Sequence, residues 1–499
     1  MLEGLYAIFS IKVLLLITGG TVLGVLIGAL PGLSATMGVA LLIPLTFKLD
    51  ALSGLAMLGG IYCGATYGGS ISAILIGIPG TPAAIATTLD GNAMAKKGNA
   101  KKAMAASAYA SCFGGIFSAI MLLLFAPKIA ELSLKFGSPE LFMLSLLGLT
   151  LISSLSGKSI LKGLIAGGIG MIFSTTGVDP YTGGLRFTFE NPNLYSGLNM
   201  IVVLIGLFCI PTIVFNFEDT YKSQQYSLKV AEELKGLCLL SWNEIKRNIM
   251  LGLRCSVIGT IIGAIPGTGS DIAAFIGYHE AKRVSKTPEK FGTGMLEGVI
   301  GPESSNNGVT GGSLIPLLTL GVPGNAVSAV LLGGLLIQGL IPGFELFTKN
   351  ATISYGFIFS LFVSNIVFLI LGISVVKYFI KVVELPLHMI MPVIIVLSMV
   401  GSYAIRNSSF DPKVVFVVGL LAYFSKKLLD LPLAPIIIGL ILGPIAERSF
   451  SQTLVMAAAH ETNIMFFIFS RPICIILTVC VALLLYATLK LTRRMNAQS

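Results

Sequence analysis

The feature that most constrains this chain is a succession of apolar runs of about 20 residues, the length a helix needs to cross a bilayer. They cover 5–29, 53–78, 103–126, 139–156, 159–176 and 195–215, then 249–265, 325–342, 353–376, 387–405, 413–425 with 428–446, and 463–490. Three further segments, 33–47, 268–278 and 309–322, are too short or too broken for a simple span. Whole and partial crossings together come to about 12. Hydrocarbon offers backbone N–H and C=O groups no partner, so such runs fold as helices. The expected fold class is an all-α polytopic membrane protein.

Composition agrees. Charged residues are 11% of the 499, against about 25% in soluble domains, and mean hydropathy is +0.90. This excludes a soluble, disordered or nucleic-acid-binding chain. The net charge of +10 belongs to cytoplasmic loops. The seven cysteines form no CxxC pair and read as small packing residues. The first eleven residues contain Glu3 and no basic residue, so the first apolar run reads as a retained helix rather than a cleavable signal.

The most polar stretch, 216–248, lies near the midpoint and holds the only tryptophan, Trp242. It reads as an amphipathic linker between a first transmembrane repeat, 1–215, and a second, 249–499. Gly28-Ala29-Leu30-Pro31-Gly32 recurs as Gly263-Ala264-Ile265-Pro266-Gly267, offset 235. Gly68-Gly69-Ser70 recurs as Gly311-Gly312-Ser313, offset 243, and Gly77-Ile78-Pro79-Gly80 as Gly321-Val322-Pro323-Gly324, offset 244. Three ordered matches at nearly constant offset indicate duplication. The basic residues change place between the copies. Lys282, Arg283, Lys286 and Lys290 follow the first break of the second half, whereas Lys96, Lys97, Lys101 and Lys102 follow the second break of the first half. Basic loops favour the cytoplasm, so the two repeats are expected to be inverted.

Each Pro-Gly pair breaks a helix, and a half-helix N-terminus offers free N–H groups and about half a positive charge to an anion. Broken helices in corresponding places of two halves point to a transport site. The candidate substrate-binding residues are therefore Pro31, Gly32, Ser34, Thr36, Gly69, Ser70, Pro79, Gly80 and Thr81, with Pro266, Gly267, Thr268, Ser270, Gly312, Ser313, Pro323, Gly324 and Asn325. The hydroxyl and amide side chains among them could instead cap the half-helices. Asp271 and Glu303, with Asn306 and Asn307, form the candidate ion-coupling set, because a carboxylate in a membrane segment costs roughly 2.5–3.5 kcal/mol on insertion scales and needs a reason. Asp90 reads as a capping or charge-pairing residue.

The long motifs resemble the large membrane subunit of tripartite tricarboxylate transporters. They are Tyr67-Gly68-Gly69-Ser70 through Pro79-Gly80-Thr81-Pro82, Thr87-Thr88-Leu89-Asp90-Gly91, Met94-Ala95-Lys96-Lys97-Gly98, Pro302-Glu303 with Asn306-Asn307, and Leu320-Gly321-Val322-Pro323-Gly324. The resemblance implies a multi-pass protein of the bacterial or archaeal cytoplasmic (inner) membrane. It implies a small membrane subunit and an extracytoplasmic solute-binding protein as partners. It also implies import of tri- or dicarboxylates such as citrate, driven by a Na+ or H+ gradient. A homodimer could supply a fixed scaffold. The chain departs from the family pattern at Gly77, where Asn is common, at Gly91-Asn92-Ala93 in place of Gly-Tyr-Pro, and at Ser304-Ser305 in place of two alanines.

Other classes fit less well. Gly157-Lys158-Ser159 looks like the end of a P-loop, but Ile152 stands where its first glycine belongs. His279-Glu280 lacks the second histidine of a zinc-protease motif, and His388 and His460 lie far away, so no metal site is expected beyond the coupling ion. Ser70 has no evident base to make it a hydrolase nucleophile, so the chain reads as no enzyme. A carboxylate channel, or a carrier for another small organic anion, is the nearer alternative.

Overall fold

The computed structural model describes all residues except 156–159, 220–235, 376–377, 380–386 and 484–499. About half of the polar stretch between the halves, 220–235, and the Gly157-Lys158-Ser159 segment lie outside the described residues. The described chain is helical apart from a hairpin of two-residue strands, β1 (Gly177–Val178) and β2 (Leu185–Arg186). Among the described residues, five helices are long and apolar enough to cross a membrane. The protein is an all-α polytopic membrane protein.

It divides into two compact units, and each takes residues from both halves of the sequence. The first unit contains Met1–Lys128 and Thr212–Ile405. Its helices in the first half are α1 (Leu2–Ile8), α2 (Ile11–Ala29), α3 (Ala35–Leu42), α4 (Ala51–Leu75), α5 (Ala84–Lys96) and most of α6 (Ala100–Leu132). The second unit contains Ile129–Pro211 and Arg406–Ser499. It holds α7 (Ser138–Leu155), α8 (Ile160–Thr175), most of α9 (Met200–Asp219) and the helices that end the chain. Returning to the first unit, the second half supplies α10 (Trp242–Ala264), α11 (Gly269–Val284), α12 (Glu297–Leu320), α13 (Ala326–Ile337), α14 (Phe344–Thr348), α15 (Ala351–Ser374) and nearly all of α16 (Leu387–Arg406). The chain closes with α17 (Phe410–Leu429), α18 (Leu433–Ala459), α19 (Ile464–Phe469) and α20 (Pro472–Leu483) in the second unit.

Several boundaries differ from the sequence expectation for local reasons. The first apolar run is two helices, because Ser10 adopts an extended backbone and its Oγ accepts from the Val13 N–H, starting a new helix. Trp242 opens α10, so 242–248, expected as part of the linker, are helical. The preceding Ser241 forms a capping box with Glu244. The apolar run 309–322 is no broken segment but the second half of α12, which begins at Glu297 and carries Pro302 and Pro316 within it. The last long run is interrupted at Ser470, between α19 and α20.

In the first unit α2 packs along α4, and α10 along α12. Contact is at backbone distance, because glycines line it. A Cβ on Gly24 would lie 2.4 Å from the Ile61 carbonyl oxygen, and one on Gly28 would lie 2.2 Å from that of Ala65. The same places in the second half are Gly259, 2.0 Å from Ser305 O, and Gly263, 2.8 Å from Val309 O. Gly64 and Gly68 face Thr21 O and Val25 O, while Gly308 and Gly312 face Ser256 O and Thr260 O. The matched contacts recur at constant offsets in the two halves and pair Gly68 with Gly312. The Gly-Gly-Ser match read from sequence is therefore shifted by one residue, so Gly69 corresponds to Ser313. As a result α4 is buried from Leu52 to Leu75 and α12 from Gly298 to Thr319.

The second unit is built around α18, which packs on α7 and α8. Gly170 and Gly439 bring the backbones together, with Cβ positions 1.9 Å from Ile436 O and 2.0 Å from Gly167 O. Arg186 on β2 pairs with Asp179 at 2.6 Å and with Glu447 of α18, which anchors the hairpin.

The packing predicts a contrast between two glycines of α2. Gly24→Ala should destabilise the fold by about 1–3 kcal/mol through overpacking, or prevent folding. Gly19→Ala, where a Cβ meets nothing within 4 Å, should be neutral or stabilise by up to about 1 kcal/mol. Thermal unfolding midpoints in detergent measure both.

Candidate functional site

The four Pro-Gly breaks fold as two matched pairs, one in each half, all within the first unit. In the first half the Gly80 N–H donates to Gly69 O at 3.2 Å, and a Cβ on Gly80 would lie 2.0 Å from Gly28 O. In the second half the Gly267 N–H donates to Gly324 O at 2.6 Å, and a Cβ on Gly324 would lie 2.4 Å from Gly263 O. Gly32 and Gly267 turn the chain with φ of 85° and 86°, a region that favours glycine. Pro31, Pro79 and Pro266 are half-buried beside these turns and Pro323 is buried.

Capping separates the half-helices. Ser34 Oγ accepts from the Met37 N–H at 3.1 Å and starts α3, in whose first turn Thr36 is buried. Asn325 forms a capping box with Ser328 and starts α13. Thr81 and Thr268 do not cap. The Thr268 hydroxyl donates backward to the carbonyls of Ile262 and Ile265. The N-termini of α5 and α11 have no side-chain cap. Ser270 is half-buried at the start of α11 and Asp271 beside it is exposed.

The remaining candidates divide between packing and polar contact. Ser70 turns to α6, bonding Ser107 Oγ at 2.6 Å and donating to Tyr67 O. Gly312 lies on Thr260 O. Ser313 lies 3.0 Å from the Tyr62 hydroxyl, which also accepts from Asn325 Nδ2 at 2.8 Å. Tyr62 thus joins α4 of the first half to the second break of the second half. It stands alone in an apolar run, and no sequence signal marked it.

Along α12 runs the unit's main line of buried polar groups. Glu303 is fully buried, and its carboxylate accepts from Thr87 Oγ1 of α5 at 2.5 Å and from Ser111 Oγ of α6 at 2.8 Å. Asn306 Nδ2 donates to Thr66 O at 3.4 Å and Asn307 Nδ2 to Glu303 O at 3.1 Å. Glu303, Asn306 and Asn307 therefore share one buried helix, and Asp271 stands apart from them at the exposed start of α11. Ser305 donates to Ala273 O of α11. Ser304 borders a largely apolar cavity of about 110 Å³ that Tyr109, Phe113, Ile249 and Ile300 also line.

Asp90 caps a loop rather than its own helix. Its buried carboxylate accepts from the backbone N–H groups of Gly292, Gly294 and Met295 and from the Tyr278 hydroxyl at 2.8 Å. It ties α5 to the turn that leads into α12. Two departures from the family pattern also meet here in space. Asn92 Nδ2 donates to Ile74 O at the end of α4, and a Cβ on Gly77 would lie 3.0 Å from Asn92 Oδ1. The missing side chain at 77 makes room for the amide at 92.

A family model for the tripartite tricarboxylate transporter TctA family matches residues 14–438. The chain belongs to that family. This TctA-family chain is 37% identical over 438 residues to an uncharacterized 52.8 kDa protein in the TAR-I ttuC' 3' region of Agrobacterium vitis, covering 88% of this chain and 86% of the relative. An uncharacterized protein in the TAR-II ttuC' 3' region of the same organism is 35% identical over 204 residues, 41% of this chain and 84% of its own length. No solved structure gives a significant match. The family assignment makes the protein the large membrane subunit of a tripartite transporter, with a small membrane subunit and a solute-binding protein as the partner types.

Asp90→Ala leaves four donors without their acceptor, the buried Tyr278 hydroxyl and the N–H groups of the half-buried Gly294 and Met295 and the exposed Gly292. At about 1–3 kcal/mol for a buried orphaned group and less where water can reach the donor, the variant should lose about 2–3 kcal/mol of stability. Asp90→Asn should fall between it and the parent. Fluorescence-detected size-exclusion after graded heating ranks the three.

Proposed function

We propose that this chain imports tri- or dicarboxylates of the citrate class by ion-coupled alternating access, receiving substrate from its solute-binding partner. In this reading 1–215 and 249–499 are inverted repeats joined by 216–248, and the protein sits in a bacterial or archaeal inner membrane. The paired Pro-Gly breaks form the substrate site. The uncapped N-termini of α5 and α11 offer N–H groups to carboxylate oxygens without burying a full cation. Coupling to Na+ or H+ runs through the polar line of α12.

The observation that carries the reading is Glu303. A carboxylate fully buried on a membrane helix, with two neutral hydroxyls as its partners, is costly unless it is used. Its partners come from α5, which follows the second break, and from α6, so its charge state bears directly on how α5 packs.

Reconstitution with the small subunit tests this. Uptake of labelled citrate and dicarboxylates into liposomes should require the solute-binding protein and one imposed gradient, of Na+ or of H+. Glu303→Gln should keep the complex intact and lower gradient-driven uptake at least tenfold. Gradient-independent uptake by the parent would instead indicate a channel. Unchanged coupled uptake in the variant would remove Glu303 from the mechanism.

A further inference from the structure

The contacts that pair the two halves equate Tyr62 with Asn306, Gly69 with Ser313 and Thr81 with Asn325. These six residues make two equivalent trios, each at a second break. One trio is closed, since the Tyr62 hydroxyl reaches both Ser313 Oγ and Asn325 Nδ2. The other is open. Asn306 Oδ1 and Thr81 Oγ1 are buried and have no hydrogen-bond partner among the described residues. Asn306 is 1% exposed and Thr81 8%. An asparagine is far shorter than a tyrosine, and Gly69 carries no hydroxyl where Ser313 has one.

The chemistry of the open trio is specific. Asn306 Nδ2 donates to Thr66 O, which fixes the amide orientation and leaves its oxygen as an acceptor. Thr81 adds a hydroxyl oxygen. Gly69 leaves the approach to that hydroxyl clear, for a Cβ there would lie 2.3 Å from Thr81 Oγ1. Buried acceptors without donors are unfavourable unless something positive meets them. A substrate carboxylate would be repelled by the amide oxygen. Calcium is held by several oxygens that include carboxylates, and magnesium keeps waters beside one or two carboxylates. The trio contains none, and it has no nitrogen or sulfur ligand for a transition metal.

We propose that Thr81 and Asn306 supply oxygen ligands to a Na+ ion at the second break of the first half. Thr81 lies between that break and α5, so the ion links the position of α5 to α12. The inference rests on the carrier reading only in making this ion the coupling ion. Binding itself is independent of which substrate is carried.

The test uses the purified full chain in detergent, with thermal midpoints in NaCl, KCl and choline chloride at equal ionic strength. The parent midpoint should rise with Na+ and saturate, relative to both other salts. Thr81→Ser should keep that rise. Thr81→Val should lose it, and should be at least as stable as the parent in choline, because it removes a buried hydroxyl that lacks a partner. Tyr62→Phe, in the closed trio, should lower the midpoint yet keep the Na+ response. Equal midpoints in the three salts for the parent would overturn the proposal, as would an undiminished response in Thr81→Val or its loss in Tyr62→Phe. A Na+ response that persists without any carboxylate uptake would sink the carrier reading and leave this site standing. Uptake of carboxylate without a Na+ response would do the reverse.

Discussion

Backbone-to-backbone contact between helices is the constraint on which the first unit depends. In hydrocarbon no hydrophobic force draws apolar helices together, so close packing must hold them. Gly24, Gly28, Gly64 and Gly68 place α2 on α4, and Gly259, Gly263, Gly308 and Gly312 place α10 on α12 in the same geometry. Two consequences follow. The central helices α4 and α12 are enclosed along nearly their whole length. The Pro-Gly breaks that follow each pair are brought onto one another, because Gly80 and Gly324 rest on the carbonyls of Gly28 and Gly263.

Enclosure makes the polar groups of α12 consequential. A buried donor or acceptor that goes unmet is destabilising, and several on α12 are met by neighbouring helices, Glu303 by α5 and α6, Ser305 by α11 and Ser313 by α4, while Ser304 Oγ, Asn306 Oδ1 and Asn307 Oδ1 have no partner among the described residues. The exceptions matter more for function. The two halves share matched backbone contacts but differ in side chain. One second break is locked by a tyrosine, a serine and an asparagine. Its counterpart has an asparagine, a glycine and a threonine, and its oxygens are left to meet a ligand. Such divergence within a repeat is how a symmetric framework can hold an asymmetric site.

The legible part of the fold was set by length and punctuation. Apolar runs of bilayer length indicated helices, and repeated Pro-Gly motifs indicated breaks and duplication. What misled was continuity of hydropathy. The run 309–322 looked like a separate fragment because the polar residues 303–307 precede it, yet those residues belong to the same buried helix. Hydropathy cannot distinguish a polar residue facing water from one satisfied by another helix. The first run concealed a break at Ser10, where a serine cap outweighs the apolar sequence on both sides. The repeat register was off by one at Gly68, because a three-letter match is less selective than a ladder of backbone contacts.

By itself the sequence determined that this chain is a polytopic helical membrane protein of duplicated design and that it belongs with tripartite transporters, since these follow from length, composition and ordered motifs. It also named Glu303 and Asn306 as ion-coupling candidates and Thr81 as a polar residue beside a helix break. Only the tertiary structure decided their company. It put Glu303, Asn306 and Asn307 on one enclosed helix and left Asp271 at an exposed helix start. It gave Asp90 a loop to hold, and it introduced Tyr62 as the bridge between halves. The physical reason is that hydrogen-bond satisfaction is a property of neighbours distant in sequence. Those neighbours are set by where glycine allows two backbones to touch.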